Sequence, residues 1–149
     1  MIKYNLGSGV AFKPGFINVD LKNADIDANL DDDWIFAPND SADFVLAAHV
    51  FEHLKSPIHT MNELYRILKP GGTAEIHVPS TDGRGAFQDP THISFWNINS
   101  FQYYSSQKNW AWHSLCKTYG FKGDFKILVL EDYKVGEIVV TKAVLEKVN

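Results

Sequence analysis

A helix signal between two strand-like segments is the feature that most constrains the fold of this chain. The segment Asp43–Ala48 is strongly apolar, as expected of a strand buried on both faces of a sheet. Ser56 and Pro57 then mark a helix start, and apolar residues recur after them at spacings of three and four. Thr73–Val78 alternates like a strand after the helix-breaking Pro70–Gly72. This succession predicts two parallel strands of an α/β sheet.

Shorter segments extend the pattern toward both ends of the chain. Lys3–Leu6 and Phe16–Val19 are predicted strands, and Trp110–Tyr119 is a predicted helix. Phe125–Glu131 and Val135–Leu145 are predicted to form an antiparallel hairpin. The expected fold class is therefore α/β, with a mostly parallel sheet that ends in an antiparallel pair.

The composition excludes several classes of protein. The chain has 149 residues, about one domain's worth, so we expect a single domain over residues 1–149. Its 14 Lys and Arg against 18 Asp and Glu give a net charge of −4, which argues against sequence-blind binding of nucleic acid. The one cysteine, Cys116, allows no internal disulfide. Without a signal peptide or a long apolar run, we expect a soluble, cytoplasmic protein that does not enter the membrane.

Polar and glycine residues follow the predicted strands. Gly7-Ser8-Gly9 follows the first strand and Asp20 the second, while His49 follows the strand before the helix and Pro79-Ser80 ends the strand after it. Because the carboxyl ends of parallel strands meet at one edge of a sheet, these residues should converge on one crevice. Glycines let a backbone approach a ligand closely, and a carboxylate can accept both hydroxyls of a ribose. The alternative is a structural turn followed by a helix-capping aspartate.

The spacing disfavours a dinucleotide. The third glycine of a G-x-G-x-x-G pattern would be residue 12, which is Phe12, and Asp20 comes 13 residues after Gly7, earlier than the usual distance of about 20. Only residues 8–15 separate the first two strands, too few for a crossover helix that would receive a pyrophosphate. A cofactor without a pyrophosphate is therefore favoured, and an NAD-dependent enzyme is the less supported alternative.

A series of blocks in this order carries a family resemblance over about residues 4–104: Asn5–Gly9, Pro14–Leu21, Trp34, Asn39–Asp43, His49–Leu54, Asn62–Gly72, Val78–Ser80 and Asp89–His92. Together they resemble class I S-adenosylmethionine-dependent methyltransferases, and more narrowly a methyltransferase type 11-like subgroup with a shortened first crossover. The resemblance implies a Rossmann-like methyltransferase sheet with a reduced helix after the first strand. It also implies that S-adenosylmethionine is the cofactor and S-adenosylhomocysteine the product.

The resemblance places ten residues around that cofactor. It implies that Asp20 holds the ribose hydroxyls and that Leu21 lies beside the adenine. The other eight follow the strands at the methionine portion or the adenine edge: Asn5, Gly7, Ser8, Gly9, Ala48 and His49 for the former, Asn29 and Leu30 for the latter. Many family members carry an acidic residue in place of Asn5 and a longer helix after Gly9.

Candidate catalytic residues lie on the acceptor side. The long segment Ser80–Asn109 should form most of an acceptor site, and in it Asp89 and His92 are candidates for proton transfer, with His49 as a third. Turn capping is the alternative for Asp89. His49 and His53 are four residues apart, but a metal would need further ligands, so we predict no metal site. For His53, the alternative to a role in proton transfer is that it forms only a packed or surface pair with His49.

We therefore expect an S-adenosylmethionine-dependent methyltransferase that acts on a small-molecule or glycan-type acceptor. The alternative is a reduced, non-catalytic member of the fold that binds the cofactor or serves as an accessory subunit. A nucleic-acid substrate is unsupported. The aromatic side chains of the long segment fit an apolar acceptor pocket, a lid or a subunit interface, so a homo-oligomer is left open.

Overall fold

The chain, seen in a computed structural model that describes residues 1–149, forms seven strands and three α-helices. The strands in chain order are β1 (Lys3–Leu6), β2 (Ile17–Asp20), β3 (Ile26–Asp27), β4 (Ala42–Ala48), β5 (Leu68–Pro79), β6 (Phe125–Val135) and β7 (Ile138–Lys147). The α-helices are α1 (Pro57–Ile67), α2 (Gly85–Gln88) and α3 (Trp110–Thr118). Two short 3-10 helices occupy Phe51–His53 and Ser100–Tyr104.

All seven strands belong to one sheet in the order β3-β2-β1-β4-β5-β7-β6. The first five strands pair in parallel, and β7 runs antiparallel between β5 and β6. The predicted fold, a mostly parallel sheet with an antiparallel C-terminal hairpin, is confirmed. β6 is longer than predicted, β7 begins and ends later than predicted, and the two strands turn at Gly136, whose φ is +60°. The two-residue strand β3 was not predicted, because so short a segment carries no periodicity.

The predicted helix α1 begins and ends where its sequence signals indicate. The Ser56 side chain caps it by accepting a hydrogen bond from the His59 backbone N–H at 3.2 Å, and Pro57 takes the first position. Its apolar stripe of Met61, Leu64 and Ile67 is fully buried against the sheet.

The connection between β1 and β2 contains turns and no helix, as the short spacing predicts. Two asparagines hold it in place. The Asn5 side-chain amide donates to the Ala11 carbonyl at 3.0 Å and to Oδ1 of Asn18 at 2.8 Å. That same Oδ1 accepts from the Lys13 backbone N–H at 3.0 Å, and the Asn18 amide donates to Asp25 at 2.9 Å. Buried side-chain hydrogen bonds thus supply the order that a crossover helix gives elsewhere.

The two faces of the sheet differ in character. One face contributes alternate side chains such as Ala74, Ile76 and Val78 to a core cluster of 27 buried residues, which also contains the inner side chains of α1 and α3. The other face, called here the open face, carries residues that all stay half-buried: Thr73, Glu75 and His77 of β5 and their partners Glu146, Val144 and Lys142 of β7. The sheet therefore has a helix layer on one side only.

The prediction that Asp43–Ala48 is a strand is confirmed as β4, but its predicted burial on both faces is wrong in part. Phe44 is half-buried and Ala48 is exposed, and both lie on the open face by their pairing with Thr73 and His77. The apolar run misleads here because no helix covers this face of the strand.

The same substitution on the two faces should have different effects on stability. Val45→Ala removes two methyl groups from a fully buried site and should lower the free energy of unfolding by roughly 2–3 kcal/mol. Val144→Ala on the open face should cost less than about 1 kcal/mol. Urea denaturation of both variants measures the difference, and equal losses would mean that the open face is covered by a packed layer.

Candidate functional site

A cavity of about 330 Å³ opens at the carboxyl ends of β1, β2 and β4. Six of the ten residues predicted at the cofactor line it: Gly7, Asp20, Leu21, Asn29, Leu30 and His49. The sequence reasoning did not place five further lining residues here: Ala28, Asp31, Val50, His53 and Leu54. The strand ends therefore converge on one crevice at Gly7, Asp20 and His49, whereas Pro79 and Ser80, which were also predicted there, do not line the cavity.

The Asp20 carboxylate is fixed at the rim of this cavity by two backbone amides. Its Oδ2 accepts from the Gly9 N–H at 2.6 Å, and its Oδ1 accepts from the Leu21 N–H at 2.6 Å. A carboxylate oxygen accepts about two hydrogen bonds, so each oxygen keeps capacity for one more. A pair of neighbouring hydroxyl groups, such as those of a ribose, fits this arrangement.

The glycine loop approaches the cavity through its backbone. Gly7 has a φ of +63°, and a Cβ there would lie 2.5 Å from Cγ2 of Val50, so a side chain has no room. Ser8 is buried, and its hydroxyl has no hydrogen-bond partner in the chain. Since buried polar groups nearly always have a partner, this hydroxyl fits a polar group supplied by a ligand.

The opposite end of the cavity is less polar. Leu30 is buried, Ala28 and Leu54 lie beside it, and Leu21 is exposed at the mouth. The Asn29 side-chain oxygen accepts from the Asp31 backbone N–H at 3.0 Å, and its amide nitrogen donates to no protein atom. An apolar floor with a free amide donor at its edge suits a flat heteroaromatic ring.

His49 lines the cavity with a φ of +57°, a left-handed conformation that only a few percent of non-glycine residues adopt. Its backbone N–H donates to the His77 carbonyl at 2.8 Å, which fixes this conformation at the end of β4. Burial lowers the pKa of its imidazole, and the neighbouring imidazoles of His77, His92 and His53 lower it further. The ring is therefore held in its neutral form.

Four of the predicted cofactor residues lie outside the cavity lining. Asn5 uses its amide to hold the first connection, and Ser8 and Gly9 sit behind Gly7 in the loop. Ala48 is exposed on the open face. Their contact with a cofactor stays a prediction.

Asp89 and His92 do not line the cavity. Oδ1 of Asp89 accepts from the Thr91 backbone N–H at 2.8 Å and from the Thr91 hydroxyl at 2.7 Å, so this carboxylate caps a turn. Nδ1 of His92 donates to the Ala86 carbonyl at 3.1 Å. The His92 ring packs edge-on against the ring of His53, with 4.9 Å between centroids, and His53 is the one that reaches the cavity. The sequence signal for His53 is its position, four residues after His49.

Glu52 is a buried acid beside this group. Its side chain is 2% exposed, and neither carboxyl oxygen has a hydrogen-bond partner. Burial, with a smaller contribution from the nearby charge of Asp89, raises the pKa of this carboxyl to about 8. Its Oε1 lies 3.8 Å from Nε2 of His53. At neutral pH the group is therefore mostly uncharged.

The fold and the cavity at its strand ends define the class of S-adenosylmethionine-dependent methyltransferases. The sequence model of a family described as methyltransferase domain matches residues 5–124, most of the chain. The chain belongs to this methyltransferase domain family, and the resemblance to class I S-adenosylmethionine-dependent methyltransferases is confirmed, while the narrower type 11-like subgroup stays a prediction. A comparison with curated proteins finds no match.

Solved structures share the fold at low sequence identity. A SAM-dependent methyltransferase from Archaeoglobus fulgidus has a TM-score of 0.63 and 15% identity, covering 97% of this chain and 85% of that chain. A Burkholderia thailandensis 1,6-didemethyltoxoflavin-N1-methyltransferase with bound 1,6-didemethyltoxoflavin and S-adenosylhomocysteine has a TM-score of 0.64 and 12% identity, covering 99% and 71%. A chain of the Haloferax volcanii complex between the Trm112 methyltransferase activator and a methyltransferase has a TM-score of 0.66 and 14% identity, covering 99% and 83%.

Two further features bear on the kind of site. The chain has no group of three or more His, Cys, Asp or Glu side chains arranged to hold a metal ion. None of its helices has the length and apolar character needed to span a membrane.

Glu52 should make the stability of the protein fall as the pH rises. In the unfolded chain this carboxyl ionises near its ordinary pKa of 4.5, whereas in the folded protein its pKa is about 8. The stabilising contribution is therefore complete below pH 4.5 and is lost as the pH rises to 8. The slope is at most about 1.4 kcal/mol per pH unit. Urea denaturation across this range measures it.

Glu52→Gln should remove this slope, while Glu131→Gln at an exposed site should keep it. The lowered pKa of His49 acts in the opposite sense, because its stabilising effect grows as the pH rises toward 6.5. The difference between variant and wild type is therefore the informative quantity. A Glu52→Gln profile parallel to wild type would show that Glu52 ionises normally in the folded state.

Proposed function

We propose that this chain, as one domain over residues 1–149, transfers a methyl group from S-adenosylmethionine to a small-molecule or glycan-type acceptor. The observation that carries this proposal is the Asp20 carboxylate, fixed by two backbone amides beside the glycine loop with acceptor capacity left over. Together with the cavity it offers a polar place for a ribose next to an apolar place for a base. When bound, S-adenosylmethionine supplies a methyl group already activated by its sulfonium.

Six of the proposed cofactor contacts line the cavity: Asp20 accepts from the ribose hydroxyls, Leu21, Asn29 and Leu30 enclose the adenine, and Gly7 and His49 lie at the methionine portion. Asn5, Ser8, Gly9 and Ala48, which do not line the cavity, complete the proposed methionine side. Asn5 acts there by holding the loop, because its amide is already engaged.

The protein's own part in the reaction is to position the two reactants and to manage a proton. We propose that His92 and Asp89 support proton transfer through the contact of His92 with His53 at the cavity, with His49 at the cofactor side. What supports this assignment is the contact of the His92 ring with His53 at the cavity and the 3.7 Å distance from Nε2 of His92 to Oδ2 of Asp89.

The acceptor and any partner protein are proposed only as chemical classes. Phe87 and Phe95 stack with 5.4 Å between centroids and stay largely exposed, so they offer an apolar surface to an acceptor, a second copy or another protein. The glycan idea rests on analogy alone, and a nucleic-acid acceptor has no support in the charge of −4. A cytoplasmic location suits the one free cysteine, Cys116.

The second candidate function is a non-catalytic accessory subunit of the same fold. The absence of a helix between β1 and β2 favours it, because no helix N-terminus supports the glycine loop.

Calorimetric titration with S-adenosylhomocysteine separates the two candidates. Wild-type protein should bind it, and Asp20→Asn should bind roughly 10- to 100-fold more weakly, because hydrogen bonds to a charged acceptor contribute about 1.5–3 kcal/mol. Glu131→Gln, which changes charge equally at an exposed site, should bind like wild type. NAD in place of S-adenosylhomocysteine should give no heat of binding.

Each binding result distinguishes between the candidate functions or locates the ribose. Binding that survives Asp20→Asn would place the ribose elsewhere in the cavity. No binding by wild-type protein would make the accessory subunit the better account. Tight binding of NAD would favour a dehydrogenase.

His92→Ala should leave the affinity for S-adenosylhomocysteine within about twofold of wild type, because His92 does not line the cavity. Transfer of labelled methyl from S-adenosylmethionine to candidate sugars and small hydroxyl compounds should be lost in the same variant. Loss of cofactor affinity instead would move His92 to the cofactor side.

A further inference from the structure

The two ring nitrogens of His53 have different surroundings. Nδ1 lies 3.2 Å from the Thr91 carbonyl oxygen and 3.1 Å from the Thr91 hydroxyl. A carbonyl oxygen can only accept, and the hydroxyl already donates to Asp89 at 2.7 Å. Nδ1 must therefore carry the hydrogen. In a neutral imidazole the other nitrogen, Nε2, then presents a lone pair.

Among His49, His53 and His92, only His53 both lines the cavity and has carboxyl groups close to its ring nitrogens. It lines the cavity, which His92 does not. His49 lines it too, but burial and three nearby imidazoles disfavour its charged form. His53 instead has the Glu52 carboxyl 3.8 Å from Nε2 and the Asp89 carboxylate linked to Nδ1 through Thr91.

Resting on the proposed methyl transfer, we propose that Nε2 of His53 takes the proton released by the methyl acceptor. The acceptor is then of a class that bears a proton on its attacking atom, such as a hydroxyl or an N–H group. In the step, the acceptor atom forms its bond to the methyl carbon, and sulfur keeps the electron pair of the bond that breaks. The acceptor's proton passes to Nε2, while Nδ1 keeps its own hydrogen toward Thr91.

The charges around His53 favour this step on balance. Asp89 has its pKa held below the usual range, chiefly by the Thr91 hydrogen bonds, so it is a carboxylate when the imidazolium forms. Glu52, with a pKa raised to about 8, is uncharged beside a neutral imidazole. The Asp89 carboxylate, linked to Nδ1 through Thr91, is therefore the counter-ion of the imidazolium. His92 and His49 are the neighbours whose charged forms would oppose it.

Nuclear magnetic resonance tests the hydrogen placement without any acceptor. Protein labelled with ¹⁵N in its histidines, with and without S-adenosylhomocysteine, should show the His53 ring with its hydrogen on Nδ1. His53→Gln assigns the signal by its disappearance. Thr91→Val keeps the carbonyl contact but removes the hydroxyl link to Asp89, and it should shift part of the population to the other tautomer. A ring with its hydrogen on Nε2 in wild-type protein overturns the proposal.

A second test uses the charge of the cofactor as the probe. S-adenosylmethionine is a cation at sulfur and S-adenosylhomocysteine is neutral there, so an imidazolium in the cavity weakens only the former. Between about pH 8 and about pH 5.5, where imidazoles titrate, the ratio of their dissociation constants should rise roughly three- to tenfold in wild-type protein. His53→Gln should remove this rise, whereas His59→Gln, a surface control, and His92→Gln should keep it.

The outcomes distinguish a wrong role for His53 from a failure of the proposed methyl transfer. If both compounds bind and the ratio rises equally in His53→Gln, or stays flat in wild type, the role of His53 is wrong and methyl transfer still stands. A rise that disappears only in His92→Gln assigns the proton to His92 and also overturns the proposal. If neither compound binds at any pH, the proposed function itself fails.

Discussion

The sheet buries most of its apolar side chains on the face that packs against the helices, and much of the molecule follows from this constraint, although Leu46 and Val140 are also buried on the open face. Residues of β5 alternate between buried Ala74, Ile76 and Val78 and half-buried Thr73 and Glu75. A face with polar and charged side chains needs no covering helices, since burying it would cost the desolvation of those groups. The chain can therefore pass from β1 to β2 in about ten residues of turn and still form the parallel core strands that define the site.

Without a helix after β1, polar contacts have to order the glycine loop, and these contacts explain a departure from the family pattern. The Asn5 amide donates to the Ala11 carbonyl and to the side-chain oxygen of Asn18. A carboxylate at position 5 could only accept and would face two acceptors. Asp20 completes the arrangement by accepting from the Gly9 N–H, so one carboxylate both shapes the loop and offers its remaining capacity to a ligand.

The sequence predicts most of the fold because local signals and tertiary packing agree. Ser56 and Pro57 start α1, and the strand ends carry the residues that line the cavity. The alternation of Thr73, Glu75 and His77 also indicates a one-sided sheet, but the apolar run of β4 points the other way. That His53, and not His92, joins His49 at the cavity could not be predicted, because it depends on a contact between residues 38 positions apart in the chain.

The histidines at the site show how backbone placement divides roles among identical side chains. His49 is locked in a left-handed conformation against β5, where burial and other imidazoles keep it neutral. His53 ends a 3-10 turn and meets a turn capped by Asp89 on one side and the buried Glu52 on the other. A neutral ring beside a cationic cofactor avoids repelling it, whereas the His53 ring has carboxyl groups on two sides. His49 and His53, four residues apart in the chain, therefore line the same cavity in different electrostatic surroundings.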